Sequence, residues 1–501
     1  MNVLLSIDQS TQSTKVVFID EKLNILHLDS LPHEQKCERP RWYEHDPMEI
    51  LDNLYKLMND GFCVLKKKYT NFTIKGIGIT NQRETVIIWD KDTGKPLYNG
   101  IVWLDTRTEK LVAEFSEKYN NETIHKKTGT GFNTYFSAFK ILWLIKNNEY
   151  IKKKVQDGTA AIGNINTWLI YNLTKGNLYT DVTNASRTLL MNINTLQYDE
   201  ELCKMFGITN LDVLPKILNN IDDYGVVKCD KLSDYANVPI TGCIGDQQSA
   251  CIGQAIFDEG EAKCTYGTGV FLLINTGKKI VHSSCGLIST VCYKLNEDNE
   301  AKYALEGSIG TAGSGVSWLV KNKLLSDPIE TNDIMENCKD TGGVVFVPAF
   351  SGLYAPRWRP DARANIFGMT FNTESKHIVR SLLEGIVFQL NEIIYSLIYD
   401  MGIEMLQLLR CDGGMTKNNA FMQFNADILN TKIEVSEHVE VTALGAGVLA
   451  GLGVKLWKDL DTVKVLIRRK QSSFKSNMEQ KIRQNKILEW NKAVERSLVM
   501  I

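Results

Sequence analysis

The sequence predicts an α/β protein of two domains, each a mixed sheet flanked by helices, with a cleft near the middle of the chain. Three observations carry this expectation. The chain has 501 residues, more than one hydrophobic core usually organises, so it should divide. Short apolar runs bounded by turn residues alternate with amphipathic stretches of helical period, as when buried strands are covered by helices. A strand, a polar hairpin tip and a return strand open the chain at residues 3–19 and recur at residues 263–275, as expected of two related halves. The expected division is 1–253 and 254–501.

Composition narrows the function classes. Hydrophobic residues make up 44% and charged residues 23%, and the formal net charge of -2 gives no electrostatic case for nucleic acid. The amino terminus lacks the charged and apolar regions of a signal peptide. No stretch reaches the roughly 18 to 20 uninterrupted apolar residues of a membrane span; the nearest is 443–454. A soluble, cytoplasmic protein is expected. The 11 Cys form no CxxC pair and the 7 His are scattered, so neither a disulfide framework nor a zinc site is expected.

Taken in order, residues 3–7 form an apolar strand ending at Asp8, the tip runs Gln9-Ser10-Thr11-Gln12-Ser13-Thr14, and residues 15–19 return. Such a tip reads as a polar turn. It reads equally as a phosphate loop, with N–H groups and hydroxyls donating to phosphate and Asp8 holding magnesium. Asp46-Pro47-Met48-Glu49 starts a helix, with Asp46 as N-cap and Glu49 where a capping box needs it. Its apolar stripe, Ile50, Leu51, Leu54, Leu57, Met58 and Leu65, marks it as scaffold.

Residues 74–80 form a buried strand that delivers Asn81-Gln82-Arg83-Glu84 to its carboxyl end. Arg83 and Glu84 read as a surface ion pair or as donor and acceptor for a polyol. A short strand is expected at 101–105 and a charged helix from Thr106. An aromatic helix follows from Tyr135, of which only Tyr135 is free to face a ligand. At the midpoint, Ile240-Thr-Gly-Cys-Ile-Gly-Asp-Gln-Gln-Ser-Ala-Cys-Ile-Gly253 places Asp246 where a strand gives way to a helix. A carboxylate buried there must be paired, hydrogen-bonded or used in chemistry.

The second half opens with a strand to Tyr266, the tip Gly267-Thr268-Gly269 and a return strand from Val270. Residues 408–414, ending Asp412-Gly413-Gly414 and followed by a helix, are expected to mirror the Asp246 turn. A strand is expected at 344–347, a long amphipathic helix at 377–399, and a helix capped by Thr442 whose Gly447 and Gly451 permit close packing. The basic tail from Arg468 is expected to be a surface helix. No Walker A sequence, G-x-G-x-x-G or G-x-S-x-G occurs, which disfavours P-loop, Rossmann and α/β-hydrolase chemistry. Glycine and hydroxyl hairpins facing a cleft suit ATP held between domains.

Several long strings carry a resemblance: Trp42-Tyr-Glu-His-Asp-Pro-Met-Glu49, Gly78-Ile-Thr-Asn-Gln-Arg-Glu-Thr85, Thr183-Asn-Ala-Ser-Arg-Thr188, Gly245-Asp-Gln-Gln248, Thr265-Tyr-Gly-Thr-Gly269 and Val441-Thr-Ala-Leu-Gly-Ala446, with signatures at 135–147 and 364–384. Nearly end to end, the chain resembles the FGGY carbohydrate kinase family of the actin and hexokinase-like superfamily, in particular its glycerol-phosphorylating members. The resemblance implies two ribonuclease-H-like domains, an interdomain catalytic cleft, ATP and Mg2+ as cofactors, glycerol as acceptor, and self-association as a dimer or tetramer.

By the same resemblance, Arg83, Glu84, Tyr135, Asp246 and Gln247 bind polyol hydroxyls, Trp103 and Phe271 flank the carbon skeleton, and Asp246 is the general base. Thr11, Gln12, Ser13, Lys15, Thr268, Gly313, Gly414 and Asn418 contact the nucleotide, and Asp8 positions the metal. The chain departs from the family pattern at Ser10, Gln12 and Lys15, the last replacing an Arg. Ser317 stands where a longer residue is common. The loop that binds fructose bisphosphate in some members is represented by residues 229–236, without its glycines and Arg. The rival readings are a sister kinase of a five-carbon ketose or gluconate, against which the bulky Trp103, Tyr135 and Phe271 set argues, and a non-enzymatic actin-like module.

Overall fold

The computed structural model describes residues 1–359, 361–436, 440–468 and 471–499. Strands β1 (Asn2–Gln9), β2 (Ser13–Asp20) and β3 (Ile25–Pro32) form an antiparallel meander. Helix α1 (Pro47–Lys68) then crosses over and returns the chain as β4 (Thr73–Asn81), parallel to β1. β5 (Ile240–Gly245) lies parallel to β4 and completes a five-stranded sheet of order β5-β4-β1-β2-β3. Asp46 caps α1 by accepting from the Met48 amide at 2.9 Å. Glu49 does not close the expected capping box; its carboxylate accepts from the Glu34 amide, docking the chain that leads into the helix. The predicted stripe of α1 is buried in one core with Val3, Leu5 and Ile7 of β1 and Val16 and Phe18 of β2, each such side chain contributing about 1.5–3 kcal/mol.

The second sheet repeats the plan with seven strands. β6 (Ala262–Tyr266), β7 (Val270–Gly277) and β9 (Lys302–Ile309) are antiparallel, with β8 (Ile288–Tyr293) on the outer edge of β9. β10 (Leu408–Asp412) and β11 (Lys432–Ser436) run parallel to β6, and β12 (Gln471–Phe474) closes the far edge. The order is β8-β9-β7-β6-β10-β11-β12. The expected two-domain α/β architecture is therefore present. One equivalence is corrected: β10 lies beside β6 as β4 lies beside β1. The Asp412 turn thus matches the Asn81 end of β4 by sheet position, not the Asp246 turn at the end of β5.

Other expectations are refined. Helix α2 (Ser137–Asn147) begins two residues after Tyr135, leaving that residue in the loop before it. The strand there is Gly100–Ile101, so only Ile101 of the expected 101–105 span is in it, because Asp105 accepts from the Tyr43 and Arg107 amides and turns the chain. The charged helix begins at Glu109 rather than at Thr106. Helix α3 (Asp246–Gly253) follows β5 directly. Helix α4 (Ser375–Met401) is the only one among the described residues with the length and composition to cross a membrane, and 83% of its most apolar window is buried inside the fold, where Leu382, Ile386 and Leu390 join the core of the second sheet. Helix α5 (Asn419–Leu429) packs beside it, and helix α6 (Val441–Gly453) follows.

The tail is not simply a surface helix. Residues 469 and 470 lie outside the described residues; beyond them the chain first adds β12. It then forms α7 (Gln480–Val499), whose Trp490 is buried, stacks on Phe388 at 5.4 Å and donates to Glu392 at 2.8 Å.

Helix α6 comes from the second half of the sequence but lies on the first sheet, against Leu4, Val17 and Ile244 and beside α3. Contact is at backbone level. A Cβ on Gly78 of β4 would sit 2.0 Å from the Ala446 carbonyl oxygen, and one on Gly445 would sit 1.9 Å from that of Ser249. The anticipated glycines, Gly447 and Gly451, instead make room for the side chains of Ile19 and Trp457. Thr442 lies inside the helix, and its carbonyl accepts from the Ser249 hydroxyl at 2.6 Å. Gly78→Ala should lower stability by about 1–3 kcal/mol or more, because backbone and not a flexible side chain must yield. Chemical denaturation of the two proteins measures this.

Candidate active site

The β1–β2 hairpin closes on itself: the Ser10 amide and hydroxyl both donate to the Ser13 carbonyl, at 2.9 and 3.0 Å. Thr11 and Ser13 are half-buried at the tip and Gln12 is exposed. Asp8 is buried, and its Oδ1 has no hydrogen-bond partner among the described residues. Burial pushes the Asp8 carboxyl up to about 7 against the pull of Lys15, with Asp246 and Glu440 adding to the rise. Lys15 is paired with Glu440 at the start of α6. The tip is also tied sideways, since Trp103 Nε1 donates to Thr11 Oγ1 at 2.9 Å.

Trp103 belongs to an aromatic wall. Its ring lies 5.4 Å from that of Tyr135 and 6.2 Å from that of Phe271 on β7, both contacts edge-on. Facing this set is a chain of charges, buried except for the partly exposed Asp246. Arg83 Nε meets Asp246 Oδ1 at 3.0 Å, and its Nη1 and Nη2 grip Glu306 at 2.6 and 3.1 Å. Arg187 Nη2 meets Glu306 at 3.2 Å, while Arg187 Nε holds Glu84 at 2.5 Å. Arg83 and Glu84 are therefore not a surface pair; each is engaged elsewhere in the interior. Gln247 accepts from the buried Lys263, which also donates to Thr265 at 3.0 Å.

Burial raises the Asp246 carboxyl above its ordinary range against the pull of Arg83, and raises that of Glu84 against Arg187. Burial would raise Glu306 as well, but Arg187 and Arg83 overcome it and hold that carboxyl at about 2. Asp412, at the end of β10, accepts from Gln254 at 3.0 Å and from Thr265 at 2.6 Å. Lys140 in α2 donates to the carbonyls of Thr134 and Tyr135, at 2.7 Å each, fixing the loop that carries Tyr135.

Arg187, Glu306, Lys263 and Lys140 were not singled out from the sequence. Arg187 had a usable signal, since it lies in the quoted 183–188 string. Glu306, in an otherwise ordinary strand, had none.

On the other side of the β6–β7 tip is a cavity of about 470 Å3 lined by Tyr266, Gly267, Gly313, Ser317, Asn332 and Gly414 among others. The tip is fastened to the next loop by bonds from the Ala312 amide to the Thr268 carbonyl and from the Gly313 amide to the Gly267 carbonyl, both at 3.0 Å. A Cβ on Gly313 would sit 2.8 Å from the Gly267 oxygen, so this approach needs glycine. Asn418 also lines the cavity, and its side chain caps α5 by accepting from the Phe421 amide at 2.9 Å. Of the residues assigned to the nucleotide by resemblance, Gly313, Gly414 and Asn418 border this cavity. Thr11, Gln12, Ser13 and Lys15 belong to the other hairpin, and Thr268 sits at the β6–β7 tip.

A paired-sheet fold with a hairpin from each sheet, an aromatic pocket and a glycine-lined cavity describes a two-domain kinase of the actin and hexokinase-like type. Residues 3–253 match the N-terminal domain of the FGGY family of carbohydrate kinases and residues 262–454 match its C-terminal domain. The chain belongs to that family. It is similar to the glycerol kinase of Clavibacter michiganensis subsp. michiganensis, at 43% identity over 98% of this chain and 97% of the relative. It is also similar to the probable glycerol kinase of Dictyostelium discoideum, at 39% identity over 98% of each. The crystal structure of Plasmodium falciparum glycerol kinase with ADP superposes with a TM-score of 0.96 at 73% identity, covering 100% of this chain and 99% of that one. Gluconate kinase from Lactobacillus acidophilus shares the fold, with a TM-score of 0.87 at 22% identity over 100% and 98% of the two chains.

The Trp103 bond to Thr11 can be tested by itself. Trp103→Phe keeps an aromatic wall but removes the donor, so amide hydrogen exchange at Thr11, Gln12 and Ser13 should quicken while the rest of the first sheet is unchanged.

Proposed function

We propose that this protein transfers the γ-phosphoryl group of ATP to a terminal hydroxyl of glycerol, giving sn-glycerol 3-phosphate and ADP. The observation that carries the reading is the placement of Asp246: a carboxylate held by Arg83, near Asp8 of one hairpin and Lys263 below the other, in a family whose glycerol kinases align over almost the whole chain. As the acceptor oxygen bonds to phosphorus and the bond to the ADP oxygen breaks, the hydroxyl proton passes to Asp246. The transition state is loose, so positioning and charge neutralisation contribute more than base strength.

Arg83, Glu84, Tyr135 and Gln247 are proposed to bind the hydroxyls, and Trp103 and Phe271 the carbon chain. A site that hydrogen-bonds each hydroxyl rejects an analogue lacking one by about 10⁴ to 10⁵. Three rings in edge-on contact suit a short acyclic chain better than a five-carbon ketose. The adenine and ribose are assigned to the glycine-lined cavity with Gly313, Gly414 and Asn418, and the phosphates to Thr11, Gln12, Ser13 and Thr268. Lys15 reaches a phosphate only by exchanging Glu440 for it.

The residues present fit a magnesium ion. Asp8 offers a buried oxygen without a hydrogen-bond partner among the described residues, and Mg2+ characteristically takes one or two carboxylates, several waters and the substrate phosphates. No group of three or more candidate ligands occurs among the described residues, as suits a cation shared with the nucleotide. When bound, Mg2+ would neutralise phosphate charge. We also propose that the domains divide at 253/254, that the protein works in the cytoplasm, and that it self-associates as a dimer or tetramer.

ADP release from the purified protein should depend on glycerol and fall steeply with pentuloses or gluconate; a five-carbon preference would overturn the reading. Asp246→Asn should lower kcat by about 10² to 10⁴ with the fold retained, and near-normal turnover would remove Asp246 from the role. The Asp8 carboxyl titrates at about 7 and only its ionised form binds a cation. Affinity of the nucleotide-free protein for Mg2+ should therefore rise about tenfold between roughly pH 6 and 8. Calorimetric titration measures it, and Asp8→Asn should abolish the dependence.

A further inference from the structure

We infer that Glu306 is a positioning residue for the acceptor alcohol: a carboxylate supplied by the second sheet that fixes the two arginine forks on which Asp246 and Glu84 depend. The inference rests on the reading of the pocket proposed above. Glu306 sits on β9, and its side chain is 1% exposed. Arg83, Glu84, Arg187 and Asp246 all come from the chain before residue 254. One carboxylate from the opposite sheet thus bridges two cations of the first, in the order Asp246, Arg83, Glu306, Arg187, Glu84.

The division of donors explains why this matters. Arg83 directs both Nη groups at Glu306, Nη1 also donating to Gln248 Oε1 at 3.4 Å, and meets Asp246 through Nε. The ion pair with Arg83 Nε at 3.0 Å and the bond from the Gln247 amide at 2.7 Å both fall on Oδ1 of Asp246. Oδ2 is left for an incoming hydroxyl. A guanidinium released from Glu306 would turn its fork on Asp246, since two parallel N–H bonds to a carboxylate are the strongest arrangement available to it, and would cover Oδ2.

The other end of the chain works in the same sense. Arg187 holds Glu84 through Nε while Glu306 takes its Nη2, and its guanidinium lies 5.5 Å from the Tyr135 ring and 5.4 Å from that of Phe136. Glu306 therefore sets the direction of an acceptor, Glu84, that it never touches, and it does so beside a wall of the same pocket. Burying four charges beside the partly exposed Asp246 is poor economy for stability alone, because well-packed apolar residues often serve as well. The arrangement is accounted for when the charges orient a substrate.

The test compares Glu306→Gln and Glu306→Asp with the parent protein in steady-state assays, varying glycerol and ATP separately. Glu306→Gln should raise the glycerol KM by about tenfold or more, the loss of one charged hydrogen bond, with the ATP KM within about twofold. A merely structural role would instead lower kcat through the active fraction and leave both KM values in place. Glu306→Asp keeps the charge but is one methylene too short to hold both forks, so its glycerol KM should lie between the other two. If Glu306→Gln does not fold, Glu306→Asp decides: a glycerol KM within about twofold of the parent value overturns the inference, as do equal rises in both KM values. Failure of the parent protein to release ADP in response to glycerol would instead overturn the proposed function, so the two failures are distinguishable.

Discussion

At two glycines the contact of helix α6 with the first sheet and with α3 leaves no room for a Cβ, and the geometry of the cleft depends on it. Gly78 of β4 meets the Ala446 backbone, and Gly445 meets that of Ser249 in α3. A helix encoded after residue 440 is thus locked at backbone distance to a strand encoded before residue 82 and to the helix that begins with Asp246. Backbone contacts do not repack as side chains do, so the seam admits few alternative spacings. It also delivers Glu440 to Lys15, because that residue immediately precedes α6. The relation between the first hairpin, the Asp246 turn and the second half of the chain follows from one stretch of small residues.

On that frame the interior of the cleft is a problem in charge placement. Asp8, Asp246, Asp412, Glu84 and Glu306 are all removed from most solvent, which by itself raises every one of their carboxyls. Only Glu306, which touches two arginines, ends with its carboxyl well below the ordinary range. The others retain a raised affinity for protons. Similar residues therefore carry different tendencies by virtue of their neighbours.

Much of the fold was legible in the sequence because hydrophobic period and turn chemistry are local. The hairpins, the α1 stripe and the strand before Asp246 were all readable. What misled was equivalence between the halves: Asp412-Gly413-Gly414 resembles the Asp246 turn in composition, yet sheet order puts it opposite Asn81, and order is decided by long-range pairing. Residues 101–105 have the apolar content of a strand, but Asp105 recruits two amides and bends the chain. The tail from Arg468 is charged enough to read as solvated, yet Trp490 anchors it in the core.

The candidate site divides similarly. Asp8 and Asp246 stood out because a carboxylate at a strand end is locally conspicuous. Glu306 is a lone acid in a strand, and only contacts 119 and 223 positions away in sequence reveal what it does. The choice of substrate came from the resemblance, not from local chemistry.

The hydrogen bond from Trp103 to Thr11 makes one side chain serve two surfaces. Its ring faces the aromatic pocket, while its N–H fastens the tip of the first hairpin. If Trp103 walls the acceptor pocket as proposed, a molecule wide enough to push the ring aside would also pull the tip, and acceptor girth would be converted into displacement of the first hairpin. On that proposal, size discrimination would act on alignment for reaction as well as on occupancy, and an oversized alcohol would fill the pocket yet remain out of line.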